Sequence, residues 1–213
     1  MNPNVRIDVY VELICPWCLI GKRHLARALE QLAQTEPELR VDVQWHLVQL
    51  IPQVPAEGWP FAEFYQRRLG SPEAVRQRQA QVKAAAAQAG VEIDFARIER
   101  FPNTTLAHRL LAFVAQHPPS QVEAMMERLF QAYFQRGENI GDIDTLLAIA
   151  QELGLERDPV QAWLMTEPTP AEAPPVSGVP LFVFNGQFAV SGAQPSDVLL
   201  SAIRQSAQAD ALS

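Results

Sequence analysis

The chain contains only two cysteines, Cys15 and Cys18, separated by Pro16 and Trp17. A single pair so close in sequence builds no disulfide framework, so the fold must rest on a hydrophobic core. The pair also marks a change of periodicity. Upstream, Val5-Arg-Ile-Asp-Val-Tyr-Val-Glu12 is rich in β-branched residues and too short for a buried helix, which predicts a strand, with Leu13 and Ile14 leading into a turn. Downstream, from Pro16 to about Ala33, Leu19, Leu25, Leu29 and Leu32 recur at helical spacing, with Lys22, Arg23, Arg27 and Glu30 supplying a polar face. Pro16 suits the first helical position, where its missing N–H is no loss. Val41 to Val48 alternates with period two, and this second strand is near enough in sequence to complete a β-α-β unit with parallel strands.

From Pro52 to about Met165 the pattern predicts helices and no strand. Ser71-Pro72 opens one that ends near Gly90. Asn103 caps another from Thr104 to Gln116, stopped by Pro118-Pro119. Ser120 with Glu123 forms a capping-box pattern before Met125, Leu129, Phe130, Tyr133 and Phe134, with Gly137 just past the end. Asp142 and Gly154 bracket a fourth helix, and Asp158-Pro159 starts a fifth. Pro168, Pro170, Pro174 and Pro175 predict an extended linker over Thr166 to Gly178. Leu181 to Phe184, Asn185-Gly186 and Gln187 to Val190 then read as a hairpin with a type I′ turn, followed by a helix from Ser196 to about Ala207. The order predicts an α/β domain made of residues 1–52 and 176–213, an all-helical insertion over 53–165, and a Pro-rich linker over 166–177.

Charge and hydropathy narrow the function. With 17 Lys+Arg scattered among 24 Asp+Glu, the net charge is −7, which argues against nucleic acid as the main partner. No apolar run reaches the length of a membrane span, and even Val5 to Leu13 carries Arg6, Asp8 and Glu12. The opening residues lack the basic and apolar regions of a secretory signal, so the expectation is a cytoplasmic protein, where a reducing milieu keeps a cysteine pair mostly as the dithiol.

A Cys-X-X-Cys at a strand-to-helix junction puts the first sulfur near unpaired N–H groups and the positive end of the helix dipole, which favours its thiolate. Cys15 is thus the expected nucleophile, and Cys18, one turn on and more buried, the resolving thiol. Half of a zinc site and an inert buried pair are the other readings. His24, His46, His108 and His117 show no paired ligand spacing, and the β-α-β setting favours redox chemistry. Trp17, between the cysteines, is expected to face solvent as part of a client-binding surface. Gly178-Val179-Pro180 precedes a strand, where a cis proline would leave the Val179 backbone exposed and not in a ladder.

Four strings occur in order: Cys15-Pro-Trp-Cys-Leu-Ile-Gly-Lys22, Pro102-Asn-Thr-Thr-Leu-Ala-His-Arg-Leu110, Gly178-Val-Pro-Leu-Phe-Val183 and Val190-Ser-Gly-Ala-Gln-Pro195. Together they resemble the FrnE-like branch of the DsbA family, in the superfamily that includes 2-hydroxychromene-2-carboxylate isomerase. The match runs from about Val5 to Ile203. The resemblance implies a thioredoxin fold with a helical insertion and a thiol–disulfide oxidoreductase or isomerase. Cys15 would attack, Cys18 resolve, and the cis proline Pro180 face them, with the Val179 backbone pairing to substrate. It also implies that Asn103 and His108 turn toward the active-site groove, although the residues alone equally suit a helix cap and a locally packed histidine. No tightly bound cofactor or metal is implied. Partners would be protein or small-molecule thiols and disulfides, with glutathione as a candidate co-substrate, in a monomer or homodimer. Two departures from the family pattern stand out: Glu12 where Asp is usual, and a shortened, proline-rich Thr166 to Ser177. Two rival functions stay open. One is a glutathione-dependent isomerase or transferase acting on an aromatic metabolite, against which Cys18 argues. The other is a redox-independent chaperone-type binder.

Overall fold

The structure is a computed structural model that describes residues 4–166 and 176–211. β1 (Asn4–Val11) leads into α1 (Pro16–Thr35) and β2 (Arg40–Leu47). There follow β3 (Trp59–Pro60), α2 (Phe61–Leu69), α3 (Pro72–Gln88), β4 (Arg100–Phe101), α4 (Thr105–Gln116), α5 (Val122–Gln131), α6 (Ile143–Glu152) and α7 (Arg157–Thr166). β5 (Leu181–Phe184), β6 (Phe188–Ser191) and α8 (Ser196–Ala211) close the described chain. These residues form two compact units, 4–48 with 176–211, and 49–166. Most of the stretch expected as a Pro-rich linker, with its four prolines, lies outside the described residues.

The first unit is built on a sheet of strand order β2-β1-β5-β6. β1 and β2 are parallel, Val5 opposite Val41 and Val11 opposite Leu47, while β5 runs antiparallel to β1 with Ile7 opposite Phe184. β6 returns antiparallel to β5. Because side chains alternate along a strand, Val5, Ile7, Val9 and Val11 fall on one face, in register with Phe182 and Phe184, and all six are buried. Leu25, Ala28 and Leu32 of α1 and Leu199 and Ile203 of α8 join that core. This is the α/β architecture of a thioredoxin fold. On the opposite face Asp8 accepts hydrogen bonds from Arg6 and His46, each at 2.7 Å. Burial works against the Asp8 charge, but these partners outweigh it and hold the carboxyl below its ordinary range. The hairpin turn has the positive φ values expected of Asn-Gly, 48° at Asn185 and 67° at Gly186. Asn185 also clamps β1, donating its N–H to the Arg6 carbonyl at 2.9 Å and accepting the Arg6 N–H on Oδ1 at 2.7 Å.

In the second unit, Ser71 caps α3 by accepting the Ala74 N–H, and Asp142 caps α6 by accepting that of Thr145. The helices meet through Leu110 and Val114 of α4, Met125, Leu129 and Phe130 of α5, Leu146 and Leu147 of α6, and Val160 and Leu164 of α7. Four local expectations need correction. The unit is not wholly helical: β3 and β4 pair antiparallel, Trp59 opposite Phe101 and Pro60 opposite Arg100. Two residues carry no readable period, and the pairing is supported by aromatic packing, with the Phe64 and Phe101 rings 3.9 Å apart. The Ser120–Glu123 capping box does not form. Ser120 lies in a 3₁₀ turn, Pro119–Gln121, and α5 begins at Val122 with no side-chain cap. α4 begins at Thr105, so Thr104 takes the cap position expected for Asn103. α7 begins at Arg157, ahead of Asp158-Pro159.

Arg128 ties the end of α5 to its neighbours. Its side chain is 8% exposed and donates to Glu152 at 2.7 Å and to Glu138 at 2.8 Å. The hydrogen bond from Arg128 holds the Glu152 carboxyl below the ordinary range against a small desolvation penalty. A carboxyl with a depressed folded-state pKa adds stability above its unfolded pKa and loses it as pH falls through the folded one. Arg128→Met is therefore expected to cost about 2–3 kcal/mol at pH 7, less than a fully buried pair because both glutamates keep contact with water. Urea unfolding should show the gap between variant and parent narrowing as pH drops from neutral toward ~3.

Candidate active site

β1 ends in the core at Val11, and the turn that follows is closed by the Cys15 N–H donating to the Glu12 carbonyl at 3.1 Å. Cys15 is the N-cap of α1, with extended φ and ψ of −92° and 112°, and Pro16 takes the first helical position. The Cys15 carbonyl accepts the Cys18 N–H at 3.0 Å, so the two cysteines are one turn apart on the opening of the helix. Both are thiols. Cys15 is partly exposed, Pro16 and Trp17 are half-buried, and Cys18 is fully buried.

Their protonation is pushed in opposite directions. The Cys18 thiol hydrogen-bonds to Cys15 and, with the backbone N–H groups of Cys18 and Trp17, draws the Cys15 pKa below that of an ordinary thiol. Desolvation and the nearby Glu12 charge oppose this without reversing it. Cys18 is held well above the ordinary range, first by burial and then by donating to Cys15 and facing its charge. A thiolate at the helix entrance and a thiol beneath it are what disulfide exchange needs of an attacking and a resolving sulfur.

Glu12 has no exposed surface. Its backbone N–H lies 3.4 Å from Cys18 Sγ, and its Oε1 accepts the Leu13 N–H at 2.7 Å, so a buried carboxylate is fixed in the turn beneath the dithiol. From the far end of the sequence, the Val179–Pro180 peptide is cis and precedes β5. The Cys15 Sγ lies 3.8 Å from the Val179 carbonyl. Seven of the residues singled out from the sequence, Glu12, Cys15, Pro16, Trp17, Cys18, Val179 and Pro180, thus belong to the first unit. Asn103 and His108 belong to the second. There Asn103 accepts the Thr105 N–H at 2.9 Å and donates to the Val54 carbonyl, and His108 is buried on α4. Gly192 was not singled out from the sequence, yet its N–H donates to the Pro180 carbonyl at 2.8 Å and braces the strap formed by Val179 and Pro180. The string Val190-Ser-Gly-Ala-Gln-Pro195 marked its place without revealing this role.

The opposed shifts predict that iodoacetamide modifies Cys15 alone across neutral pH, with a rate that levels off below the pH at which a free thiol does so. Cys18→Ala removes the hydrogen bond that favours the Cys15 thiolate, so the midpoint of that pH–rate curve should rise, as read by mass spectrometry of the alkylated chain.

The sequence matches the family described as DSBA-like thioredoxin domain over residues 6–204. YwbO of Bacillus subtilis strain 168 is 28% identical over 210 residues, covering 94% of this chain and 96% of its own. A crystal structure of a probable DsbA oxidoreductase from Streptomyces coelicolor, 25% identical, superimposes with a TM-score of 0.83 over 95% of this chain and 89% of that one. The cytosolic disulfide reductase DsbM from Pseudomonas aeruginosa, solved with GSH, is 19% identical and shares the fold at a TM-score of 0.56, covering 94% and 98%. A helix-capping Cys15 over a buried Cys18, faced by Val179, is carried on this same framework, and the chain belongs to the DSBA-like thioredoxin domain family of oxidoreductases.

Proposed function

We propose that the chain is a dithiol–disulfide oxidoreductase that reduces or rearranges disulfides in extended polypeptide clients, and that Cys15 and Cys18 are its whole redox apparatus. The observation that carries this reading is the opposite displacement of two thiols one turn apart, with the outer one facing the Val179 carbonyl. The Cys15 thiolate attacks a client disulfide. A Cys15–client bond forms as the client bond breaks, and the departing client sulfur leaves as a thiolate that takes up a proton. Cys18 then loses its proton and attacks the Cys15 sulfur. This forms the Cys15–Cys18 disulfide and releases the second client thiol, so that two electrons have passed to the client.

Glu12 is the buried group we assign to receiving the Cys18 proton, because it is the carboxylate fixed in the same turn. The Val179 backbone would pair with the client chain, and Trp17 and Pro16 would flank it. A place for Asn103 and His108 beside the client is part of the same proposal and rests on the family resemblance. We assign glutathione the role of returning the pair to the dithiol, two molecules giving up two electrons and becoming their own disulfide. Among the described residues no helix is long and apolar enough to cross a membrane. The reducing cytoplasm is the compartment we propose.

With a peptide disulfide and glutathione, Cys15→Ser should abolish turnover, and Cys18→Ser should stall as a mixed disulfide of Cys15 with the client, visible as a mass increase. Glu12→Gln should slow the resolving step about tenfold or more while leaving the first attack within a few-fold, in line with the usual worth of a positioned base. Turnover that survives Cys15→Ser would remove the reading. A Cys15–glutathione adduct that Cys18 never resolves would favour glutathione-dependent isomerase or transferase chemistry. Full suppression of client aggregation by the double cysteine variant, without turnover in the parent, would favour a chaperone-type binder.

A further inference from the structure

The 3.8 Å separation of Cys15 Sγ and the Val179 carbonyl is too long for a strong hydrogen bond to set the position of the strap. Something else must hold residues 179–180 against α1. Two features of α1 do so, and both lie on the edge of the helix that carries Cys18, at steps of three residues.

The first is Gly21, in the helix interior, where glycine costs about 0.5–1 kcal/mol relative to alanine. Its φ is not in the left-handed region, so backbone conformation does not call for glycine here. Space does. A Cβ at this position would lie 2.9 Å from Pro180 Cγ and 3.2 Å from Phe182 Cζ, inside the contact distance that side chains tolerate. The second is His24, one turn further on. Its Nδ1 is hydrogen-bonded to the Gln194 carbonyl at 2.8 Å; the Gln194 N–H donates to the Gly192 carbonyl at 2.8 Å; and the Gly192 N–H donates to the Pro180 carbonyl at 2.8 Å. Gly192 stands at φ 81°, the left-handed conformation this bend uses.

We propose that Gly21 and His24 are positioning residues that set the height of the Val179–Pro180 strap over the dithiol, and so decide whether an extended client can pair with the Val179 backbone while its sulfur meets Cys15. Gly21 lets the strap approach, and His24, through residues 192–194, keeps it from lifting. This inference rests on the oxidoreductase reading above. Because Gly21 faces Pro180 and Phe182 and His24 bonds to Gln194, the clamp acts on clients that need the backbone and not on disulfides too small to reach it.

The test compares an extended peptide disulfide with bis(2-hydroxyethyl) disulfide, using Gly21→Ala, His24→Ala and His24→Asn. Asparagine can place an N–H donor near the position of the imidazole Nδ1. Gly21→Ala and His24→Ala should raise KM for the peptide about tenfold with kcat near that of the parent, the pattern of lost uniform binding, and should leave the small disulfide within about twofold. His24→Asn should recover most of the loss. Where Gly21→Ala does not fold, the two His24 variants carry the comparison. An equal fall on both substrates, no fall on either, or His24→Asn behaving like His24→Ala overturns the clamp. If the parent turns over neither disulfide, the oxidoreductase reading fails, and the clamp is then read from hydrogen exchange at the Gly192 amide. Protection in the parent that is lost in Gly21→Ala and His24→Ala sustains it, and unchanged protection overturns it.

Discussion

β1 is hydrogen-bonded along both edges, parallel to β2 and antiparallel to β5, and its inward residues from Val5 to Val11 have no exposed surface. A strand held on two sides and packed under two helices has little freedom to shift its end point. The turn at the end of that strand carries Glu12, Cys15 and the first turn of α1, and β5 brings Pro180 to the same end from the other side. The chemistry of the site therefore inherits its precision from hydrophobic packing. No bond made by the sulfurs themselves supplies it.

Within that frame the two thiols differ because their surroundings differ. Cys15 has a hydrogen bond from a neighbouring thiol and the N–H groups of a helix entrance to support a negative charge, and Cys18 has burial, which opposes one. The buried Glu12 charge works against both thiolates. Its place in the turn at Cys18 suits the role proposed for it above, receiving the proton that the Cys18 thiol gives up in the resolving step. The Glu12 side chain turns its Oε1 onto the adjacent Leu13 N–H.

The parts of this arrangement that depend on local periodicity or local capping were legible in the sequence. The alternation of Val5 to Val11, the leucine spacing of α1, the Asn-Gly turn and the Ser71 and Asp142 caps each express a rule that acts over a few residues. What escaped was set by contacts distant in sequence. The Trp59–Phe101 pairing has two residues per strand and is held by aromatic rings from another helix, so no alternation announces it. The Ser120 cap is a local exception, where Pro119 opens a 3₁₀ turn ahead of α5. At the site, the cysteines declared themselves by spacing, whereas Gly192 and His24 did not. Their role lies in a run of hydrogen bonds that starts on α1 and ends on a carbonyl more than a hundred and fifty residues away.

The division of the first unit between the two ends of the chain has a consequence for how the protein is made. Residues 49–166 are contiguous and can gather their core as they emerge during synthesis, whereas β1 waits for β5 to satisfy its second edge. At about 5–20 residues per second, the interval between the appearance of Cys15 and that of Val179 is of the order of ten to thirty seconds. During that time the two thiols precede the Val179–Pro180 segment that comes to lie beside Cys15. The nascent chain thus passes through a stage with both sulfurs present and residues 179–180 missing, and the site is complete only when β5 folds back onto β1.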